Sequence, residues 1–124
     1  MATGLDNLKI YQLAEDLEIK VHELTKKFPK DEMNRSIDQL KRSAASVSNN
    51  IAESYHKTTF KEKNRILSIA KGEAEETKRN IIKSARKKFI TTELAAEIAE
   101  EYTVLLKRTN AYIRFLKNNE IDKM

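Results

Sequence analysis

Apolar residues recur along this chain at steps of three and four, and that period predicts helices from one end to the other. Ile10, Leu13, Leu17, Val21, Leu24 and Phe28 form one stripe of a first helix over about 6–27, which Pro29 stops. Met33, Ile37, Leu40, Ala44, Val47 and Ile51 alternate steps of four and three, a heptad-like seam for a second helix over about 31–57. Thr59 followed by Glu62 reads as a capping box opening a third helix over about 59–88, with Phe60, Ile66, Leu67, Ala70, Ala74, Ile81 and Ala85 as its stripe. Lys83, Arg86, Lys87 and Lys88 close it against the negative end of its dipole. Thr92 with Glu93 opens a fourth over about 92–118, striped by Leu94, Ile98, Tyr102, Leu105, Thr109, Tyr112 and Leu116, and the tail after Asn118 is expected to fray.

The connections at Pro29, near Thr58 and near Thr91 are short, which makes sequential helices antiparallel neighbours. The expected fold is therefore all-α, an up-down-up-down four-helix bundle forming a single domain over residues 1–124. Composition agrees: two Gly, one Pro and 35% charged residues favour long helices over strands. The absence of Cys removes disulfides, thiolate zinc sites and a cysteine nucleophile, and fits a reducing compartment. No apolar run approaches the roughly 20 residues of a membrane span, and Met1 to Leu8 lacks the pattern of a signal peptide. A cytoplasmic protein without a membrane partner is expected.

Charge changes the picture in one place. Residues 56–88 carry 11 basic and 4 acidic groups, whereas the segments on either side are each slightly acidic, so the net charge of +5 originates in the third helix. Lys61, Arg65, Arg79, Lys83 and Arg86 fall in a narrow arc of that helix away from its apolar stripe, with Gly72 between them and Glu76 interrupting. A solvated helix face accounts for such a pattern; so does a surface for RNA or DNA phosphates. No base-reading motif accompanies it, so the expected binding is electrostatic and weakly selective for sequence.

The second helix holds a feature that helix propensity does not explain. The run QLKRSAASVSNNIAES places Ser and Asn in a helix interior, and Gln39, Arg42, Ser46, Asn50 and Glu53 line a stripe well away from the apolar seam. A solvated face is one reading. The other is a subunit interface, in which Ser43, Ala45, Ser46 and Ser48 reduce bulk so that a neighbour approaches closely. Leu8, Tyr11 and Ile19 fall opposite the apolar stripe of the first helix and join that interface as exposed apolar groups. Gly72 joins it too, because a mid-helix glycine costs about 1 kcal/mol relative to alanine and a close crossing by a partner offsets this.

The run from Gln39 through Arg42, Ala44, Ser46, Asn50, Ile51 and Ala52 to Glu53, with Leu67 to Gly72 as a second element, resembles the signature of the small four-helix-bundle family encoded in bacterial 23S ribosomal RNA intervening sequences. The relatives include the accessory variability protein of diversity-generating retroelements. The resemblance covers nearly the whole chain. It departs at Tyr11, where relatives commonly carry Trp, and at Ser54, where they usually carry Gly. What the resemblance implies is a homo-oligomeric ring, typically a pentamer, and for the retroelement relatives an accessory scaffold that meets a reverse transcriptase and its RNA.

Catalysis finds little support in the residues. A di-iron bundle needs a Glu-x-x-His pair on each of two helices, and this chain has the spacing once, from Glu53 to His56, with Ile19 three positions before His22. No glycine-rich phosphate loop is present, and no histidine stands within helical reach of Ser46. The expectation is a non-enzymatic scaffold without metal or cofactor, a homo-oligomer presenting a basic surface to nucleic acid or to a nucleic-acid-processing partner. The alternative is a protein interaction scaffold that touches no nucleic acid.

Overall fold

The computed structural model describes residues 4–120, and among these the chain forms four α-helices: α1 (Lys9–Thr25), α2 (Asp38–Tyr55), α3 (Phe60–Arg86) and α4 (Thr92–Glu120). α1 packs on α2 and α4, and α3 on the same two, so the helices stand at the corners of a square with sequential neighbours adjacent. With connections this short the neighbours run antiparallel, the topology the apolar spacing predicts. Ile10, Leu17, Val21 and Leu24 of α1 meet Leu40, Val47 and Ile51 of α2, Leu67 and Ile81 of α3, and Ile98, Tyr102 and Leu105 of α4 in one continuous core.

The helix ends explain themselves chemically. Thr59 takes extended backbone angles and its hydroxyl accepts the Glu62 amide at 3.2 Å, the expected cap of α3. The ammonium of Lys63 donates to the carbonyls of Ser54 and Tyr55 at 3.1 and 3.0 Å, satisfying two of the orphan acceptors at the end of α2. At the end of α3, Lys88 adopts φ 67°, while the amides of Lys88 and Phe89 bond the carbonyls of Ala85 and Ser84. That is a Schellman motif, with lysine where glycine is usual. Phe89 then packs against Phe28 in a tilted pair with ring centroids 5.3 Å apart, closing that end of the bundle.

Four expectations change. α1 starts at Lys9 because residues 4–7 form a turn and Leu8 is an extended N-cap; for the same reason its side chain does not follow the helical angle that would have pointed it outward. The second helix is preceded by a 3₁₀ turn (Lys30–Glu32) and a π turn (Met33–Ile37). A π turn holds more residues than an α turn, so the heptad phase is lost upstream of Asp38, and Met33 is 61% exposed instead of joining the seam. The cap of α4 is Thr91, whose hydroxyl accepts the Leu94 amide at 3.1 Å, and not Thr92. Helix α4 continues past Asn118 to Glu120; the remainder of the expected fraying tail lies outside the described residues.

Candidate nucleic-acid interface

The outer face of α3 is built from the positions its burial leaves over. Ile66, Leu67, Ala70, Ala74, Thr77, Ile81 and Ser84 turn inward, and the opposite arc carries Lys61, Arg65, Arg79, Lys83 and Arg86, all exposed. From Lys61 to Arg86 the row extends about 37 Å at the rise of an α-helix. The ion pairs among the described residues are Lys20 with Glu101, Lys26 with Glu23, Arg42 with Asp38 and Lys57 with Glu53, so none of the five cations on α3 is neutralised by a salt bridge. Gly72 interrupts the row at an exposed position where an added Cβ meets nothing within 4 Å. No contact among the described residues requires glycine there.

The polar stripe of α2 divides on inspection. Gln39, Arg42 and Glu53 are exposed, with Arg42 paired to Asp38 at 3.1 Å and Glu53 to Lys57 at 3.9 Å. Ser46 and Asn50 are half-buried, and the Asn50 amide donates to the carbonyl and hydroxyl oxygens of Ser46 at 2.8 and 3.0 Å. Bonding back to its own helix in this way lets Asn50 sit mid-helix without an outside partner.

Two parts of the expected assembly surface are covered within the chain itself, one fully and one in part. Ser43 and Ser48 are buried: Ser43 meets Thr77 of α3, and Ser48 donates to Glu18 of α1 at 2.5 Å. Their small size serves the approach of neighbouring helices within one bundle. Leu8 and Tyr11 are partly buried and pack against the core, Tyr11 also donating to Glu15 at 3.1 Å, because α1 is flanked by helices on two sides and its covered arc is wider than its apolar stripe. Of the three apolar groups assigned to the exposed face of α1, Ile19 alone is exposed, at 57%.

The interior also holds two polar atoms without partners among the described residues. Tyr102 is wholly buried with its hydroxyl unpartnered among the described residues, and burial, reinforced by the carboxylates of Glu18 and Glu101, raises its pKa above the usual value. Asn80, on the α2-facing flank of α3, has a buried side-chain nitrogen without a partner among the described residues. Periodicity placed Tyr102 in the core stripe of the fourth helix, but it carries no signal for whether a buried hydroxyl or amide finds a partner. Among the described residues no group of three His, Asp or Glu side chains is arranged to hold a metal, and no helix is long and apolar enough to cross a membrane.

Four antiparallel helices round one core, with the polar chemistry carried on the outer faces, define a small all-α four-helix-bundle protein. Residues 6–111 match the model of the 23S rRNA-intervening sequence protein family, and the chain belongs to that family. It is similar to a solved structure described as a protein of unknown function from the S23 ribosomal protein family of Bacteroides thetaiotaomicron. The two are 23% identical over 84% of this chain and 97% of that one, with a TM-score of 0.75, a likeness that extends to the fold. No curated protein matches the chain.

Proposed function

We propose that the protein is a non-enzymatic, homo-oligomeric scaffold of the cytoplasm that presents the basic face of α3 to the phosphate backbone of nucleic acid. The observation that carries this reading is the row of five exposed cations, none in a salt bridge among the described residues, along one face of a single helix. Repeated around a ring, most simply the pentamer that the family resemblance implies, that row becomes a continuous positive surface able to hold RNA or DNA, alone or together with an enzyme such as a retroelement reverse transcriptase. The exposed remainder of the α2 stripe, Gln39, Arg42 and Glu53, with Ile19 and the uncrowded Gly72, supplies surface for subunit contacts. A protein interaction scaffold without nucleic acid draws on the exposed Ile69 and Ile82, apolar groups on the two flanks of the same basic helix.

Light scattering of the purified chain with and without structured RNA, across a salt series, tests both parts. The expected result is a homo-oligomer that binds RNA with an affinity falling steeply with salt and little preference among sequences of similar shape. Replacing Arg65, Arg79 and Lys83 by Gln flattens the salt slope and leaves the oligomer mass unchanged. A monomeric mass defeats the assembly reading; RNA binding that is absent at low salt, or untouched by the triple substitution, leaves the protein interaction scaffold standing.

A further inference from the structure

One turn beyond the Ser43–Thr77 contact, where the start of α2 passes the end of α3, the two helices enclose a small pocket of about 60 Å³ lined by Ser36, Gln39, Asn80, Lys83, Ser84 and Lys87. We infer that this pocket binds a phosphate group, with the Asn80 amide at its base and Lys83 at its mouth. The inference deepens the nucleic-acid reading and rests on it only for the source of the phosphate.

The pocket is lined by hydrogen-bond donors, one of them buried. The Asn80 side-chain nitrogen is buried and unpartnered, a condition native structures seldom leave standing. The hydroxyls around it are already committed: Ser84 donates to the Asn80 carbonyl at 2.7 Å and Ser36 to the Glu32 carboxylate at 3.0 Å. What remains is the Asn80 amide, the Gln39 amide and the ammonium groups of Lys83 and Lys87. A ligand that only accepts hydrogen bonds and carries negative charge matches the chemistry of that donor set. A cavity of about 60 Å³ has room for a small tetrahedral oxyanion.

Two carboxylates stand near: Glu76, one turn before Asn80 on α3, and Glu32. Glu32 lies by Ser36, and its carboxyl is held below the usual range chiefly by the Ser36 hydrogen bond, with Arg35 and Lys87 contributing. Lys87 also stands over the Phe89 ring, 5.9 Å from its centroid. Lys83 takes part in no salt bridge among the described residues, so the mouth keeps an uncompensated cation. The site also accounts for a juxtaposition that sequence did not supply. Gln39, assigned to a subunit interface, and Lys83, assigned to a nucleic-acid face, line the same cavity.

Calorimetric titration of the full chain with inorganic phosphate at constant ionic strength, with chloride as the control anion, tests the site. The expected result is saturable binding of phosphate, weakened about tenfold or more by Asn80→Asp and by Lys83→Gln and unchanged by Lys107→Gln on the exposed face of α4. Lys83 is exposed, so its substitution tests the site even if Asn80→Asp proves poorly folded by circular dichroism. No saturable binding, or equal binding by Lys83→Gln and a folded Asn80→Asp chain, overturns the inference. A second arm repeats the RNA titration with Asn80→Asp. Weakened RNA binding assigns the pocket to a backbone phosphate, and unchanged RNA binding assigns it to free phosphate; both uphold the pocket. Phosphate binding in a chain that binds no RNA overturns the nucleic-acid reading and leaves this one intact.

Discussion

Ser43 of α2 and Thr77 of α3 meet across the bundle with their hydroxyl oxygens 2.7 Å apart, both almost wholly buried. Thr77 also reaches the Glu73 carbonyl at 2.8 Å, so the pair is polar but satisfied, and the small serine lets the two helix backbones draw together. Removing the hydroxyl and filling the space are different injuries. Ser43→Ala is expected to cost about 1 kcal/mol, because Thr77 keeps its bond to Glu73. Ser43→Leu is expected to cost about 3 kcal/mol through overpacking. Denaturant unfolding measures both, and a leucine variant as stable as the alanine one refutes this account of the contact.

Tyr102 is expected to make the fold sensitive to alkaline pH. Its folded pKa is raised above the unfolded value near 10, first by burial and then by Glu18 and Glu101, so the folded chain resists losing the proton. The stability this contributes is complete below about pH 10 and is lost as pH rises past the unfolded value, at up to about 1.4 kcal/mol per pH unit. Tyr11 and Tyr112 are shifted in the same direction, so Tyr102→Phe flattens the decline without abolishing it. At neutral pH the same substitution is expected to be neutral or stabilising, since it deletes an unpartnered hydroxyl. Unfolding curves for the two proteins between pH 8 and 11 provide the check, and parallel slopes contradict the assignment.

Lys88 occupies the left-handed position of the Schellman motif that ends α3, where a side chain costs about 1 kcal/mol and glycine costs nothing. Lys88→Gly is expected to stabilise the fold by about 0.5 kcal/mol once the greater freedom of glycine in the unfolded chain is counted. A lowered melting temperature tells against this and points to a separate role for the ammonium.

Much of the architecture was legible in the amino acids. The step-three-and-four spacing of Leu17, Val21 and Leu24, of Leu40, Ala44, Val47 and Ile51, and of Ile98, Tyr102 and Leu105 marks the inward face of each helix, and those residues form the core. Thr59 and Glu62 announced a cap that is present. The reading failed where a helix was assumed to keep its phase: at Leu8, which is an N-cap, and at Met33, which stands in a π turn. The cations of α3 were legible as a face, because that face is the complement of one apolar stripe.

The candidate pocket was not legible, and the reason is geometric. Periodicity is a property of one helix, and it determined by itself that this chain forms four amphipathic helices, in what order they pair, and which side of each is apolar. It says nothing of the height at which one helix passes the next. Whether Ser43 meets Thr77, whether Gln39 comes to line a cavity with Asn80 and Lys83, and whether Ser48 turns outward or toward Glu18 depend on that height and on the rotation of each helix about its axis. Both are set by the packing of side chains far apart in the chain, so only the tertiary structure decided which polar groups are surface and which are buried between helices.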